Sequence, residues 1–290
     1  MRGVITITLM ALNVFFWVPV LLVVALARLL VPLRPWRAWT GRLMSSIAET
    51  WISGNCAIFS LMGVLHVEVH GVDQLNPQDW YLVVSNHRSW VDILVLQKVF
   101  NRRIPLLKFF LKQQLIWVPF LGLAWWALEF PFMRRHTAAF LAAHPEARGQ
   151  DLAATRKACE RFALIPTSIM NFVEGTRFTQ AKRVATKSPY NHLLPPRAGG
   201  VAFVLGAMGG MLHSMLDVTI AYTDTDPTLW ELCCGCLGPV SVTVEKRPIE
   251  PWTTAGDYTA DEAFRRRFQG WLSGIWADKD RRLDERMPRT

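Results

Sequence analysis

Gly3 to Ala27 reads GVITITLMALNVFFWVPVLLVVALA, without one charged side chain. As α-helix such a run extends about 37 Å, enough to cross a hydrocarbon core of about 30 Å at a tilt. Whatever follows must therefore fold while attached to an apolar phase. A cleaved signal peptide fits poorly, because the run is long, Arg2 is the only leader charge, and the chain continues into arginine rather than a processed polar start. Pro19 lies mid-run, where it would kink the helix or bend it into a re-entrant hairpin, so spanning and dipping both stay open. Arg28, Arg34, Arg37 and Arg42 follow with no acid before Glu49, an asymmetry that predicts a cytoplasmic carboxy-terminal bulk. Residues 43–64 form a second helix-length apolar stretch with Glu49 as its only charge, expected to pack on the domain or lie in the interface. Residues 1–64 are read as membrane anchor and interfacial helix, and 65–290 as one further domain.

Composition supports contact with lipid. The 290 residues are 51% apolar and include 13 tryptophans and 16 phenylalanines, an aromatic load that suits a membrane–water interface. The net charge of +9 fits nucleic acid or anionic membrane, since both present dense phosphate. The arginines sit directly after the apolar run and no recognisable nucleic-acid module occurs, so membrane lipid is the expected partner and nucleic acid is not. The five cysteines are odd in number and poorly spaced for a disulfide framework, which fits a reducing compartment. The CCGC cluster at 233–236 has no second Cys/His pair at zinc spacing, so no metal site is expected.

After Gly63 the pattern changes to short strands, LHVEVHG, YLVVSN, SIMNFVEG, MLDVTIAYTD and PVSVTVEK. Helical stretches lie between or after them, at Trp90 to Phe100, Asp151 to Phe162, Ala202 to Leu212 and Ala260 to Ala277. This alternation predicts an α/β domain, a mainly parallel or mixed sheet flanked by helices, preceded by the N-terminal membrane helix or helical hairpin. The aromatic stretch from Lys108 to Phe132 contains Lys112, Pro119, Gly122 and Glu129, so a second span is a poor reading. A buried helix and strand, or an aromatic surface dipping into the bilayer, both fit.

Four motifs carry candidate chemistry. In NHRSWVD, His87 and Asp92 would stand about 140° apart on one helix, so a pairing requires His87 to lie in the preceding turn. Ser89 as N-cap with Asp92 at N3 provides that turn, and also the plainer alternative of a capping carboxylate beside a loop histidine. A histidine at the carboxyl end of a buried strand occupies the place where open α/β sheets bind ligands, and a carboxylate on one ring nitrogen leaves the other as a base. In FVEGTRF, a strand end presents Glu174, Gly175, Thr176 and Arg177, a group able to hold phosphate or to form a tight turn with a surface arginine. FMRR offers Arg135, or else Arg134, as a second phosphate contact or a solvated basic turn. LLPPRAGG offers a rigid proline turn and glycines for close backbone approach.

NHRSWVD, FMRR, FVEGTR, LLPPRAGG and DVTIAY, in their order along the chain, resemble the glycerophospholipid acyltransferase family, nearest its lysophosphatidic acid acyltransferase branch, over about Val67 to Val244. The resemblance implies an acyltransferase domain in 65–290 that moves a fatty acyl group from a thioester, acyl-CoA or acyl-carrier protein, to the free sn-2 hydroxyl of 1-acyl-glycerol-3-phosphate, giving phosphatidic acid without a cofactor. It implies His87 as base, Asp92 as its orienting partner, and Arg135, Glu174, Gly175, Thr176 and Arg177 as the acceptor site, with Arg177 on the phosphate. Met133 and Arg134 stand where many bacterial members carry an Ile-Asp pair, a departure that bears on acceptor binding. Another lysophospholipid acceptor, or a non-catalytic protein binding anionic lipid, are the alternatives. A bacterial inner membrane, with the catalytic domain on its cytoplasmic side, is the expected location. A thioester is already activated, so no serine nucleophile is required, and no Gly-x-Ser-x-Gly occurs.

Overall fold

The computed structural model describes residues 1–133, 162, 165–223 and 227–286. Helix α1, Arg2–Leu30, runs without a break through Pro19, and the chain reverses only at Val31–Leu33, around Pro32. Pro19 therefore neither ends the helix nor forms a hairpin bend. Helix α2, Arg34–Met62, starts nine residues before the expected position, with proline in its first turn, where the missing N–H costs nothing. The two helices lie antiparallel. Arg2 donates to the carbonyls of Met62 and Gly63, satisfying the C-terminus of α2. Asn13 Nδ2 donates to Trp51 O and Asn55 Oδ1, both at 2.9 Å, and Trp36 Nε1 to Ala27 O at 3.2 Å.

Beyond the hairpin, six strands form one sheet in the order β1, β8, β7, β2, β6, β3. They are β1 Val67–His70, β2 Tyr81–Ser85, β3 Leu107–Phe109, β6 Ser168–Phe172, β7 Ser214–Tyr222 and β8 Val240–Pro248. Only β7 and β8 pair antiparallel; the other neighbours are parallel. The sheet is thus mixed and mainly parallel. Leu111–Lys112 (β4) and Phe132–Met133 (β5) make a separate short ladder. The stretch from Lys108 to Phe132 also holds edge strand β3, a 3₁₀ turn at Gln113–Trp117 and helix α4, Leu121–Ala127. Among the described residues the further α-helices are α3 Val91–Phe100, α5 Gln180–Ala185, α6 Ala198–Met208, α7 Leu229–Cys234 and α8 Glu262–Arg286.

Both faces of the sheet are covered, which is why β2 and β7 are buried at every position and why β2 reads as an apolar run rather than an alternation. Tyr81 and Val83 face one core, shared with α1, α2 and α3, while Leu82 and Val84 face the other, shared with α6 and α8. Helix α6 begins four residues before the expected Ala202. Its Gly200 packs so close to β6 that an added Cβ would stand 2.6 Å from Asn171 Nδ2, so a glycine read as loop lies inside a helix. Helix α8 continues past the expected Ala277 because part of its charged run is buried, Lys279 and Asp280 among it. Most of the helix expected at Asp151 to Phe162 lies outside the described residues.

Candidate active site

The end of β2 decides where His87 stands. Past Ser85 the backbone no longer pairs with a strand, yet side chains continue the ladder on both flanks. Toward β7, Asn86 Nδ2 donates to Ile220 O at 2.8 Å and Asn86 Oδ1 accepts from Ile220 N–H at 2.9 Å. Toward β6, Glu174 Oε1 accepts the His87 N–H at 3.0 Å. The His87 carbonyl in turn accepts the Phe178 N–H at 2.7 Å. His87 is therefore an extension of β2, ahead of α3, as the pairing with Asp92 requires.

The His87 ring lies on Phe172, centroids 3.9 Å apart and planes 14° apart, with 16% of its side chain exposed. Its Nδ1 is 2.7 Å from Asp92 Oδ2. The same oxygen accepts the N–H groups of Arg88 at 2.6 Å and Ser89 at 2.9 Å, and Oδ1 accepts the Tyr222 hydroxyl at 2.5 Å. Asp92, in the first turn of α3, thus holds the preceding turn through the Arg88 and Ser89 amides and orients the histidine at once; the helix starts at Val91 with Trp90 as N-cap and no side-chain cap bond, one residue past the expected Ser89. Ser89 itself does not return the bond to the Asp92 amide through its side chain: its Oγ accepts from Val91 N–H at 3.1 Å and donates to Pro227 O at 2.5 Å. With the Nδ1 proton given to a carboxylate, Nε2 is left as a proton acceptor.

Tyr222 escaped the sequence reading as a site residue. Burial, and then the Asp92 charge, raise its pKa well above 10, so the phenol stays protonated and serves only as donor. The available signal was its place at the carboxyl end of DVTIAY, a strand adjacent to β2.

At the end of β6 the chain turns tightly, with Gly175 N–H donating to Phe172 O at 2.8 Å. Gly175 has φ +70, in the left-handed region that favours glycine, and a Cβ there would stand 3.0 Å from the Arg197 side chain. Thr176 Oγ1 accepts from Lys182 Nζ at 2.8 Å. Arg177 is exposed, its guanidinium 5.7 Å from the Trp90 ring centroid, at the start of α3. The Phe178 bond to His87 therefore ties the two motifs together at adjacent strand ends, with Arg177 next in sequence to that bond.

Glu174, expected in the acceptor site, has its carboxylate turned inward. It is 1% exposed, and while Oε1 accepts from His87, Oε2 accepts the Leu194 N–H at 2.9 Å. Burial pushes its carboxyl up to about 7, against the pull of the Leu194 and His87 amides. The LLPPRAGG segment meets it from the other side: Trp276 Nε1 donates to Leu194 O at 3.1 Å and Arg197 N–H to Val173 O at 2.8 Å. Arg134 and Arg135 lie outside the described residues. Among the described residues no three His, Cys, Asp or Glu side chains are grouped to hold a metal ion.

A family model described as Acyltransferase matches residues 66–223, more than half of the chain. This chain belongs to the acyltransferase family. It is 24% identical over 255 residues to mouse 1-acyl-sn-glycerol-3-phosphate acyltransferase gamma, covering 83% of this chain and 60% of the relative. It is 26% identical over 219 residues to 1-acyl-sn-glycerol-3-phosphate acyltransferase 2 of Arabidopsis thaliana, covering 70% and 51%. The chain therefore spans only between half and three-fifths of the length of these curated relatives. Its fold is similar to the crystal structure of the 1-acyl-sn-glycerophosphate (LPA) acyltransferase PlsC from Thermotoga maritima, with a TM-score of 0.52, 17% identity, and 96% of this chain and 98% of that one covered.

Proposed function

We propose that this acyltransferase moves a fatty acyl group from acyl-CoA or acyl-carrier protein to the free sn-2 hydroxyl of 1-acyl-glycerol-3-phosphate, giving phosphatidic acid. The observation that carries the reading is the His87–Asp92 pair at 2.7 Å, opening beside the exposed Arg177. The acceptor hydroxyl gives its proton to His87 Nε2 as its oxygen bonds to the thioester carbon. The C–S bond then breaks, and the imidazolium returns the proton to the leaving thiolate. A positioned base of this kind contributes on the order of 10² to 10⁴ in rate. Arg177 and the turn at Gly175–Thr176 suit a phosphate, which a forked guanidinium and a hydroxyl can hold.

The packing of α1 supports attachment at the surface of one leaflet rather than a span. Helix α1 is long and apolar enough to cross a bilayer, but other elements flank it from end to end. Trp230 and Cys234 pack near Gly3, Phe120 lies edge-on to Phe15, and Glu129 pairs with Arg28 at 3.2 Å. A span would carry α2 with it, including Arg37, Arg42 and Glu49, into hydrocarbon. In the proposed arrangement α1 lies in the interface of the cytoplasmic leaflet of a bacterial inner membrane, close to its lipid substrate.

The test is acyl transfer in detergent with a labelled donor and a panel of lysophospholipids. His87→Ala should lower kcat by roughly 10² or more; full activity would remove the base. Arg177→Ala should raise KM for lysophosphatidic acid by roughly ten-fold or more, the worth of a charge-assisted hydrogen bond, with little effect on a phosphate-free acceptor. Preference for a phosphate-free acceptor would move the substrate elsewhere.

A further inference from the structure

We infer that Glu174 is a positioning residue, not an acceptor ligand: its carboxylate spans two backbone amides and so fixes the register of His87 against the Leu194 segment. This rests on the reading of His87 as the base. Parallel strands β2 and β6 are in register with Ser85 opposite Phe172, so two residues further on His87 lies opposite Glu174. There the main chain of β6 turns away at Gly175. The Glu174 side chain takes over as acceptor for the His87 N–H at 3.0 Å, while its second oxygen takes the Leu194 N–H at 2.9 Å.

Each neighbour of this carboxylate is itself fixed. The Leu194 carbonyl accepts from Trp276 of α8, whose ring is fully buried. The His87 carbonyl accepts from Phe178, and the His87 ring is held by Phe172 and Asp92. A carboxylate can accept both amides because each oxygen presents lone pairs; a carboxyl or carboxamide in its place accepts only one well. With 1% exposure and both oxygens engaged, Glu174 has no free edge to offer a phosphate or hydroxyl of an acceptor. The charged and titratable groups around it are His87 and Asp92 from the β2–α3 turn, Lys279 from α8 and Arg197 packed on Gly175. Misplacing a reacting group by an ångström is enough to cost about 10² in rate, so a residue that never meets substrate can govern kcat.

The experiment is Glu174→Gln in the full chain, compared with the native enzyme in two assays: acyl transfer to lysophosphatidic acid, and slow hydrolysis of the same acyl-CoA without acceptor, with water in place of the hydroxyl. A positioning role predicts that kcat for both falls by about ten-fold or more while the KM for lysophosphatidic acid stays within about two-fold. A risen acceptor KM with unchanged hydrolysis would overturn the inference and return Glu174 to the acceptor site. Glu174→Asp keeps two acceptor oxygens on a shorter arm and should lie between; it replaces the glutamine variant if that fails to fold. If the native enzyme hydrolyses the thioester but does not acylate lysophosphatidic acid, the substrate reading fails while hydrolysis still tests Glu174. Amide hydrogen exchange reads the clamp without turnover: the peptide containing His87 should exchange at least about ten-fold faster in Glu174→Gln, and equal protection would show that the carboxylate holds nothing.

Discussion

Asp92 and Glu174 illustrate how one side chain serves two ends. Asp92 holds the turn before α3 and orients His87 with the same oxygen, so what reads in sequence as either helix-start punctuation or chemistry is both. Glu174 couples its clamp to pH. Its native pKa, about 7, lies above the ordinary 4.5, so the folded state binds this proton more tightly than the unfolded chain. The stability this contributes is fully present below about 4.5 and is lost as pH rises through about 7, on the order of 3 kcal/mol. The working form is nonetheless the carboxylate, because a protonated oxygen accepts the Leu194 or His87 amide poorly. Stability and turnover therefore move in opposite directions over that window. Urea melts of the native chain and Glu174→Gln at pH 5 and pH 7.5 check this: the native chain should lose stability relative to the variant at the higher pH, and parallel losses would contradict it. The His87–Asp92 contact was legible because its motif is local in sequence. Tyr222 was not, since its partner Asp92 is 130 residues away and nothing near it marks the contact.

At the scale of elements, the buried ion cluster that fastens α8 under the sheet was the least legible part. The run ADKDRRLDER reads as a solvated helix end, yet Lys279 and Asp217 are both fully buried with Nζ 2.6 Å from Oδ1. Arg282 and Arg247 reach the other oxygen at 3.0 and 3.3 Å. Burial alone would raise the Asp217 pKa, but Lys279 and the two arginines outweigh it and hold the carboxyl below its ordinary range. Asp217→Ala would strand Lys279 in the core and should cost about 3–5 kcal/mol in chemical denaturation. The double change Asp217→Leu with Lys279→Met should cost far less, since neither charge remains to be desolvated. If the single variant is as stable as the native chain, the cluster does not fasten α8. Strand β2 was easier to read, because, covered on both faces, it is a nearly continuous apolar run, whereas β7 carries Ser214, Asp217 and Thr219 among its apolar residues. Edge strand β3 was hidden in an aromatic stretch where period alone does not separate strand from helix.

Over the whole molecule the exposed apolar side chains gather on α1 and on the turn before and within α4. Phe15 and Phe16 are 53% and 63% exposed, Trp117 85% and Trp126 50%. An open apolar hollow of about 480 Å³ lies among Trp117, Phe120, Leu123 and Trp126. Phe120 touches Phe15, so the two regions are neighbours, as an interfacial protein requires. Trp117→Ala with Trp126→Ala should lower partitioning onto anionic liposomes by roughly ten-fold or more, given about 1.5–3 kcal/mol for each large apolar side chain removed from water, and leave thioester hydrolysis in detergent intact. Flotation that is unchanged would place the membrane contact on another face.

By itself the sequence determined a long apolar N-terminal segment followed by basic residues, a strand-and-helix alternation that demands an α/β sheet, and two ordered motifs at strand ends. These are local properties, set by side-chain period, charge and turn chemistry within a dozen residues. Only the tertiary structure decided that α1 returns through α2 instead of standing alone, and that Tyr222 and Leu194 belong to the site. It also decided that Glu174 faces inward. Those outcomes depend on which strands become neighbours and in what register, and a two-residue overrun at the end of β2 and β6 is enough to turn a presumed ligand contact into a clamp on His87.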